Sequence, residues 1–152
     1  MLSINSKAPY IKLKTDQDFF SLEDYKHKNV VIFFFPKADT SGCTSEALAF
    51  SKLKPEFDNQ ETLIIGISKD KPEKQKQFKE KYNLNCILGA DNETDICEQY
   101  GVWVEKSMYG RKYMGIQRST FLINEKSKIE YIWEKVKVKG HVEDVINKIK
   151  SS

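Results

Sequence analysis

Apolar positions along the chain fall into short runs and helical stripes. The run Val30-Val31-Ile32-Phe33-Phe34-Phe35 is β-branched and aromatic, and it is far too short to cross a bilayer, so it reads as a buried central strand. Pro36 ends it, because proline has no N–H for the ladder. Thr40, Ser41 and Gly42 then supply turn and helix-cap chemistry, and Phe50, Leu53 and Phe57 follow at helical spacing. Pro55 inside that stripe predicts a kink or a restart. Residues 63–67 form a second buried strand. Pro72 opens a charged helix that runs to Tyr82, with Phe78 and Tyr82 on its inner side. Cys86-Ile87-Leu88 is a short third strand ending at Gly89. Residues 92–100 predict a helix with Ile96 and Tyr100 inward and Gly101 as its stop.

The flanks are read in the same way. Ile11 and Leu13 alternate with lysines, predicting a short edge strand, and Ser21 caps a single helical turn after it. Residues 104–117 read as a long loop. Two strands, 119–123 and 129–133, bracket a turn at residues 124–127, and Val142, Val145, Ile146 and Ile149 mark a last amphipathic helix. Strands that alternate with helices imply a parallel α/β core, to which the late hairpin adds antiparallel strands. With 152 residues, no repeat and no low-complexity tract, a single domain over 1–152 is expected.

Composition narrows the function classes. A hydrophobic content of 39% with 31% charged residues describes a globular protein without membrane spans. Residues 1–7 lack the charged-then-apolar design of a secretory signal, so a cytoplasmic address is expected. The net charge of +3 arises from 25 basic and 22 acidic residues mixed along the chain, too weak and dispersed for a nucleic-acid footprint. The three cysteines, Cys43, Cys86 and Cys97, are widely spaced and suggest neither a disulfide framework nor a zinc site. No Cys-x-x-Cys occurs. His27 and His141 have no evident partner, which leaves a Cys–His hydrolase without support.

Cys43 carries the chemistry. It falls where the polar loop becomes a helix, facing unpaired backbone N–H groups and the positive end of the helix dipole. Both favour thiolate over thiol, the nucleophilic form.

The segment Pro36-Lys37-Ala38-Asp39-Thr40-Ser41-Gly42-Cys43-Thr44-Ser45-Glu46-Ala47 resembles the active-site segment of the peroxiredoxins, specifically the bacterioferritin-comigratory or Q-type subfamily. Gly66-Ile67-Ser68-Lys69-Asp70, Tyr100-Gly101-Val102-Trp103 and Tyr113-Met114-Gly115-Ile116-Gln117-Arg118-Ser119-Thr120-Phe121-Leu122-Ile123 resemble the same subfamily, in its order. The resemblance implies a thioredoxin-like fold, with a central mixed sheet flanked by helices, and a thiol-dependent peroxidase with no cofactor. It implies that Cys43 attacks hydrogen peroxide or an organic hydroperoxide and becomes a sulfenic acid. Thr40 aligns the peroxide, and backbone N–H groups at Gly42 and Cys43 face the attacked oxygens. Arg118 stabilises the thiolate and the leaving oxygen, Pro36 shields the sulfur, and Glu46 orients the arginine.

The chain departs from the pattern at the resolving cysteine. Many subfamily members carry one five residues after the reactive cysteine, where this chain has Leu48; others carry it on the helix over residues 75–82, which holds none here. Cys86 and Cys97 read as buried structural residues. The expected recycling route is therefore an external thiol, thioredoxin or another reductant, acting on a monomer or weak dimer. The competing reading is a thioredoxin-fold binding, chaperone or thiol-exchange module. Against it stand the missing Cys-x-x-Cys and a Thr40/Cys43/Arg118 set with no purpose in a binder.

Overall fold

The computed structural model describes residues 2–152. Its elements are β1 (Lys12–Thr15), β2 (Phe19–Ser21), a 3-10 turn (Leu22–Tyr25), β3 (Asn29–Phe34), α1 (Ser41–Asn59), β4 (Thr62–Ser68), α2 (Pro72–Tyr82), β5 (Ile87–Ala90), α3 (Ile96–Gln99), β6 (Trp103–Met108), β7 (Arg111–Ile116), β8 (Ser119–Ile123), β9 (Ile129–Trp133) and α4 (His141–Lys150). Seven strands form one sheet in the order β2-β1-β5-β4-β3-β8-β9. β3, β4 and β5 run parallel, while β8 lies antiparallel against β3.

β3 is buried on both faces, which is why its sequence is a continuous apolar run rather than an alternation. Val30, Ile32 and Phe34 point into one core layer with Ile65, Ile67, Tyr100 and Phe121. Val31, Phe33 and Phe35 point into the other, where α1, α2 and α4 contribute Phe50, Phe57, Phe78, Val145 and Ile146. The Phe33 ring lies over Gly66, its partner on β4, where a Cβ would sit 2.4 Å from the ring. Its other side stacks on Phe50 of α1 at 4.4 Å. This packing sets α1, and with it residue 43, against the end of the central strand.

Five expectations are corrected. β1 is not an edge strand: β2 pairs outside it and β5 inside it, because the short run Phe19-Phe20-Ser21 turns back to meet it. Pro55 does not restart α1, which runs as one helix of 19 residues. The Ser51 carbonyl that Pro55 leaves without its helical donor accepts from the Asn85 side chain at 3.1 Å. The predicted helix over 92–100 shrinks to the single turn α3. The buried Asp91 carboxylate accepts from the N–H groups of Ile96 (3.0 Å) and Cys97 (2.8 Å), so residues 92–95 wrap around it instead of extending the helix. Gly101, at φ +72, ends that turn as expected. Finally, residues 104–117 are no loop. β6 and β7 form a two-stranded hairpin closed by Tyr109 and Gly110, both at positive φ, as a tight two-residue turn requires. The Ser21 hydroxyl does not cap the 3-10 turn; it meets the Tyr10 hydroxyl at 3.2 Å.

Candidate active site

The chain leaves β3 through Phe35 and Pro36 and crosses four residues, 37–40, to the start of α1. Two acids hold this crossing. Asp70, just past β4, accepts from the buried Ala38 N–H at 2.8 Å and from the Ser68 hydroxyl at 2.6 Å. Gln75 of α2 backs this up, donating to Ser68 Oγ (2.9 Å) and to the Gly89 carbonyl (2.8 Å). Asp39, at φ +65, accepts from the Tyr82 hydroxyl at 2.5 Å and from Lys81 Nζ at 2.9 Å. Those two bonds hold its carboxyl below the usual carboxylate range.

Thr40 is extended and occupies the position before the helix, yet its hydroxyl caps nothing; it donates to the Lys37 carbonyl at 2.8 Å. α1 begins at Ser41, so Cys43 is its third residue and its N–H is one of the four that a helix leaves without an internal acceptor. The Cys43 side chain is 1% exposed.

Arg118 arrives from 75 residues away. Ser119 pairs with Phe34, so the antiparallel approach of β8 carries the preceding residue past the end of β3, beside the Cys43 turn. Nη2 donates to Cys43 Sγ at 3.4 Å and Nη1 to Glu46 Oε1 at 2.7 Å. Gly42 makes room for the approach, since a Cβ there would lie 3.1 Å from Nη2. Burial works against the Arg118 charge, but Glu46 and Cys43 outweigh it, and the guanidinium holds its proton more tightly than an ordinary arginine. Glu46 is fully buried, and that burial outweighs Arg118 and pushes its carboxyl up to about 7.

The AhpC/TSA family model matches residues 4–132. The chain belongs to this family. Within it, peroxiredoxins are the relatives. A putative peroxiredoxin bcp of Coxiella burnetii is 44% identical over 97% of this chain and 99% of its own. The peroxiredoxin Bcp of Bacillus subtilis is 43% identical over 98% and 96%. Among solved structures, a variant of Xylella fastidiosa PrxQ superposes with a TM-score of 0.94 at 32% identity, covering 99% of this chain and 97% of that one. The fold is the thioredoxin-like one of these peroxiredoxins, and the chain is a thiol-dependent peroxidase by family.

Of the six predicted site residues in this peroxiredoxin, Cys43, Glu46, Gly42 and Arg118 meet directly. Pro36 ends β3, half-buried, and Thr40 sits exposed at the helix entrance, joined to Lys37 rather than to the sulfur. Sequence reasoning missed Asp39 and Asp70 as the anchors of the crossing. Asp70 had a signal, as the last residue of the Gly66–Asp70 segment that resembles the subfamily. It missed Lys106 as well. This β6 lysine lies against Gly115, and burial and the nearby Arg118 lower its proton affinity.

His141 is not isolated, contrary to expectation. Its Nε2 meets the Thr120 hydroxyl at 2.8 Å among Phe50 and Trp133, and burial pushes it down to about 4. It forms no pair with a cysteine.

The other two thiols lie apart from Cys43. Cys97 packs in the opposite core layer, across the sheet. Cys86 shares the Cys43 layer but sits against Ser51 of α1, and burial pushes its thiol up to about 11. From residue 43 to 51 a helix rises about 12 Å, beyond the roughly 7 Å of Cα separation that a disulfide spans.

Proposed function

We propose that Cys43 is the sulfur at which this peroxiredoxin reduces hydrogen peroxide and organic hydroperoxides. The observation that carries the reading is the single guanidinium that reaches both Cys43 and Glu46. The thiolate attacks one peroxide oxygen, the O–O bond breaks, and Cys43 is left as a sulfenic acid. Arg118, permanently charged and forked, faces the charge as it moves from sulfur to the departing oxygen, and Glu46 holds the fork in place. The N–H groups of Gly42 and Cys43, free at the helix start, point toward the same charge. Thr40 gives its hydrogen to Lys37, so its lone pairs are left to accept the peroxide O–H and align the O–O bond. Pro36 shields the sulfur. The Xanthomonas campestris bacterioferritin comigratory protein, 34% identical with a TM-score of 0.88, has alkyl peroxide reduction activity, which supports the substrate class.

Peroxiredoxins couple hydroperoxide reduction to thiol reductants. Here the sulfenic acid is reduced by an external thiol, thioredoxin or another reductant; the burial of Cys86 and of Cys97 away from Cys43 supports this reading. The protein acts as a single domain, a monomer or weak dimer, in the cytoplasm; no helix among the described residues is long and apolar enough to cross a membrane. The test is peroxide consumption by the reduced protein without reductant. One equivalent consumed rapidly, and none by Cys43→Ser, is the expected result. Consumption that survives Cys43→Ser would overturn the assignment.

A further inference from the structure

Arg118 faces two acids, and both are out of water. Nη2 donates to the Cys43 sulfur and Nη1 to Glu46 Oε1, while Glu46 Oε2 is buried with no hydrogen-bond partner among the described residues. Cys43 and Glu46 are one turn apart on α1, so both side chains occupy the same helix face. A buried carboxylate with an unpartnered oxygen is costly, and a carboxylic acid is far less so. One guanidinium also neutralises only one negative charge, so a thiolate and a carboxylate together would leave an uncompensated buried charge.

The surrounding groups do not change this balance. Arg118 is the charged group that acts on Glu46. Arg118 acts in turn on Lys106 from β6 and on His141 at the start of α4, and burial keeps His141 uncharged near neutrality. Burial outweighs Arg118 at Glu46, so the acid and its carboxylate exchange near neutral pH, where a proton can be given up and taken back.

We propose that Glu46 is the proton source for peroxide reduction at Cys43, so that the site carries one negative charge opposite Arg118 before and after the reaction. The charge is on sulfur beforehand and on Glu46 afterwards. The proposal rests on Cys43 being the oxidised sulfur. The sulfur's electron pair forms the S–O bond, and the O–O bond breaks with its pair going to the departing oxygen. That oxygen takes the Glu46 proton and leaves as water or an alcohol. Sulfur loses two electrons and the peroxide gains them; Cys43 becomes a neutral sulfenic acid and Glu46 a carboxylate paired with Arg118. When an external thiol returns Cys43 to the thiolate, Glu46 recovers its proton.

Proton uptake from solvent tests this. Reduced protein is mixed with one equivalent of hydrogen peroxide in weakly buffered solution with a pH indicator, at a pH below the value of about 7 at which Glu46 exchanges its proton. The wild type is expected to oxidise Cys43 without net proton uptake, and Glu46→Gln, which keeps an oxygen for Nη1, to take up one proton for each sulfur oxidised. Infrared difference spectra of the wild type supply a second readout, in which a protonated-carboxyl band disappears on oxidation. Equal uptake by the two proteins, or a carboxyl band that oxidation leaves unchanged, would overturn the proposal while Cys43 remains the reactive sulfur. A wild type that consumes no peroxide would overturn the assignment of Cys43 itself, and the proposal with it.

Discussion

Arg118 reaches the Cys43 sulfur across a residue with no side chain. A methyl at position 42 would stand 3.1 Å from Nη2, so Gly42→Ala must displace the guanidinium by a few tenths of an ångström. The expected result is a several-fold slower reaction with peroxide and little loss of stability, read from the second-order rate of peroxide consumption. Arg118→Met is the harsher change. It removes the donor to sulfur and strands the buried Glu46, and a fall of roughly 10²–10³-fold is expected, the cost of losing one positioned oxyanion donor. Arg118→Lys should recover little of it, because a point charge cannot hold both acceptors at once. A lysine variant at wild-type rate would show that charge alone suffices.

The crossing between β3 and α1 behaves as an element, although it has no regular structure. Its inner tether runs from the buried Ala38 N–H to the half-buried Asp70, and its outer tether, Asp39 to Tyr82 and Lys81, lies nearer solvent. Asp70→Ala leaves the Ala38 amide buried without an acceptor, a cost of about 1–3 kcal/mol. Amide exchange over residues 36–40 should quicken and peroxide consumption slow, while Asp70→Asn, which keeps an acceptor, stays near wild type. Loss of both functions in Asn as well as Ala would mean that the charge of Asp70 matters rather than its oxygen. Tyr82→Phe should have a smaller effect, since water can replace the bond it removes.

Across the whole molecule, two buried titratable groups pull stability in opposite directions. Glu46 is raised from 4.5 to about 7, so its contribution is complete below the unfolded value and is lost as pH rises through about 7, on the order of 3 kcal/mol. His141 is lowered from 6.5 to about 4, so its contribution is present above 6.5 and is lost as pH falls toward 4. Between roughly pH 4.5 and 6.5 the two slopes oppose each other and stability should change little. Glu46→Gln should unmask the His141 slope, giving a protein that weakens steadily on acidification over that window in denaturant titrations. A flat profile in the variant would show that His141 keeps its proton affinity. Recycling also belongs to this scale. With Cys86 beside Ser51 and Cys97 across the sheet, the Cys86/Cys97 double serine variant should turn over peroxide with an external thiol at the wild-type rate. Turnover that collapses in that variant would mean that those segments travel farther than their burial suggests.

What the sequence determined by itself is whatever a single element encodes locally. The continuous apolar run of β3, the Pro72 start of α2, the β8–β9 hairpin and the stripe of α4 each carry their own period and punctuation, and each forms where it is read. So does the place of Cys43 in the first turn of α1, where a helix start leaves backbone N–H groups free whatever packs around it. Tertiary structure decided the rest. Arg118 became a sulfur partner only through the pairing of Ser119 with Phe34, a choice made by burial between strands far apart in the chain. Pro55 is tolerated because Asn85, 34 residues after Ser51, occupies the carbonyl that proline abandons. Residues 92–95 fold around Asp91 because that carboxylate claims the N–H groups of Ile96 and Cys97. The β6–β7 hairpin hid among lysines and tyrosines that show no clean alternation, since its outer half meets solvent on both faces. Local periodicity records which side of an element is buried; which distant group then satisfies a given charge, carbonyl or strand edge is settled only when the chain closes on itself.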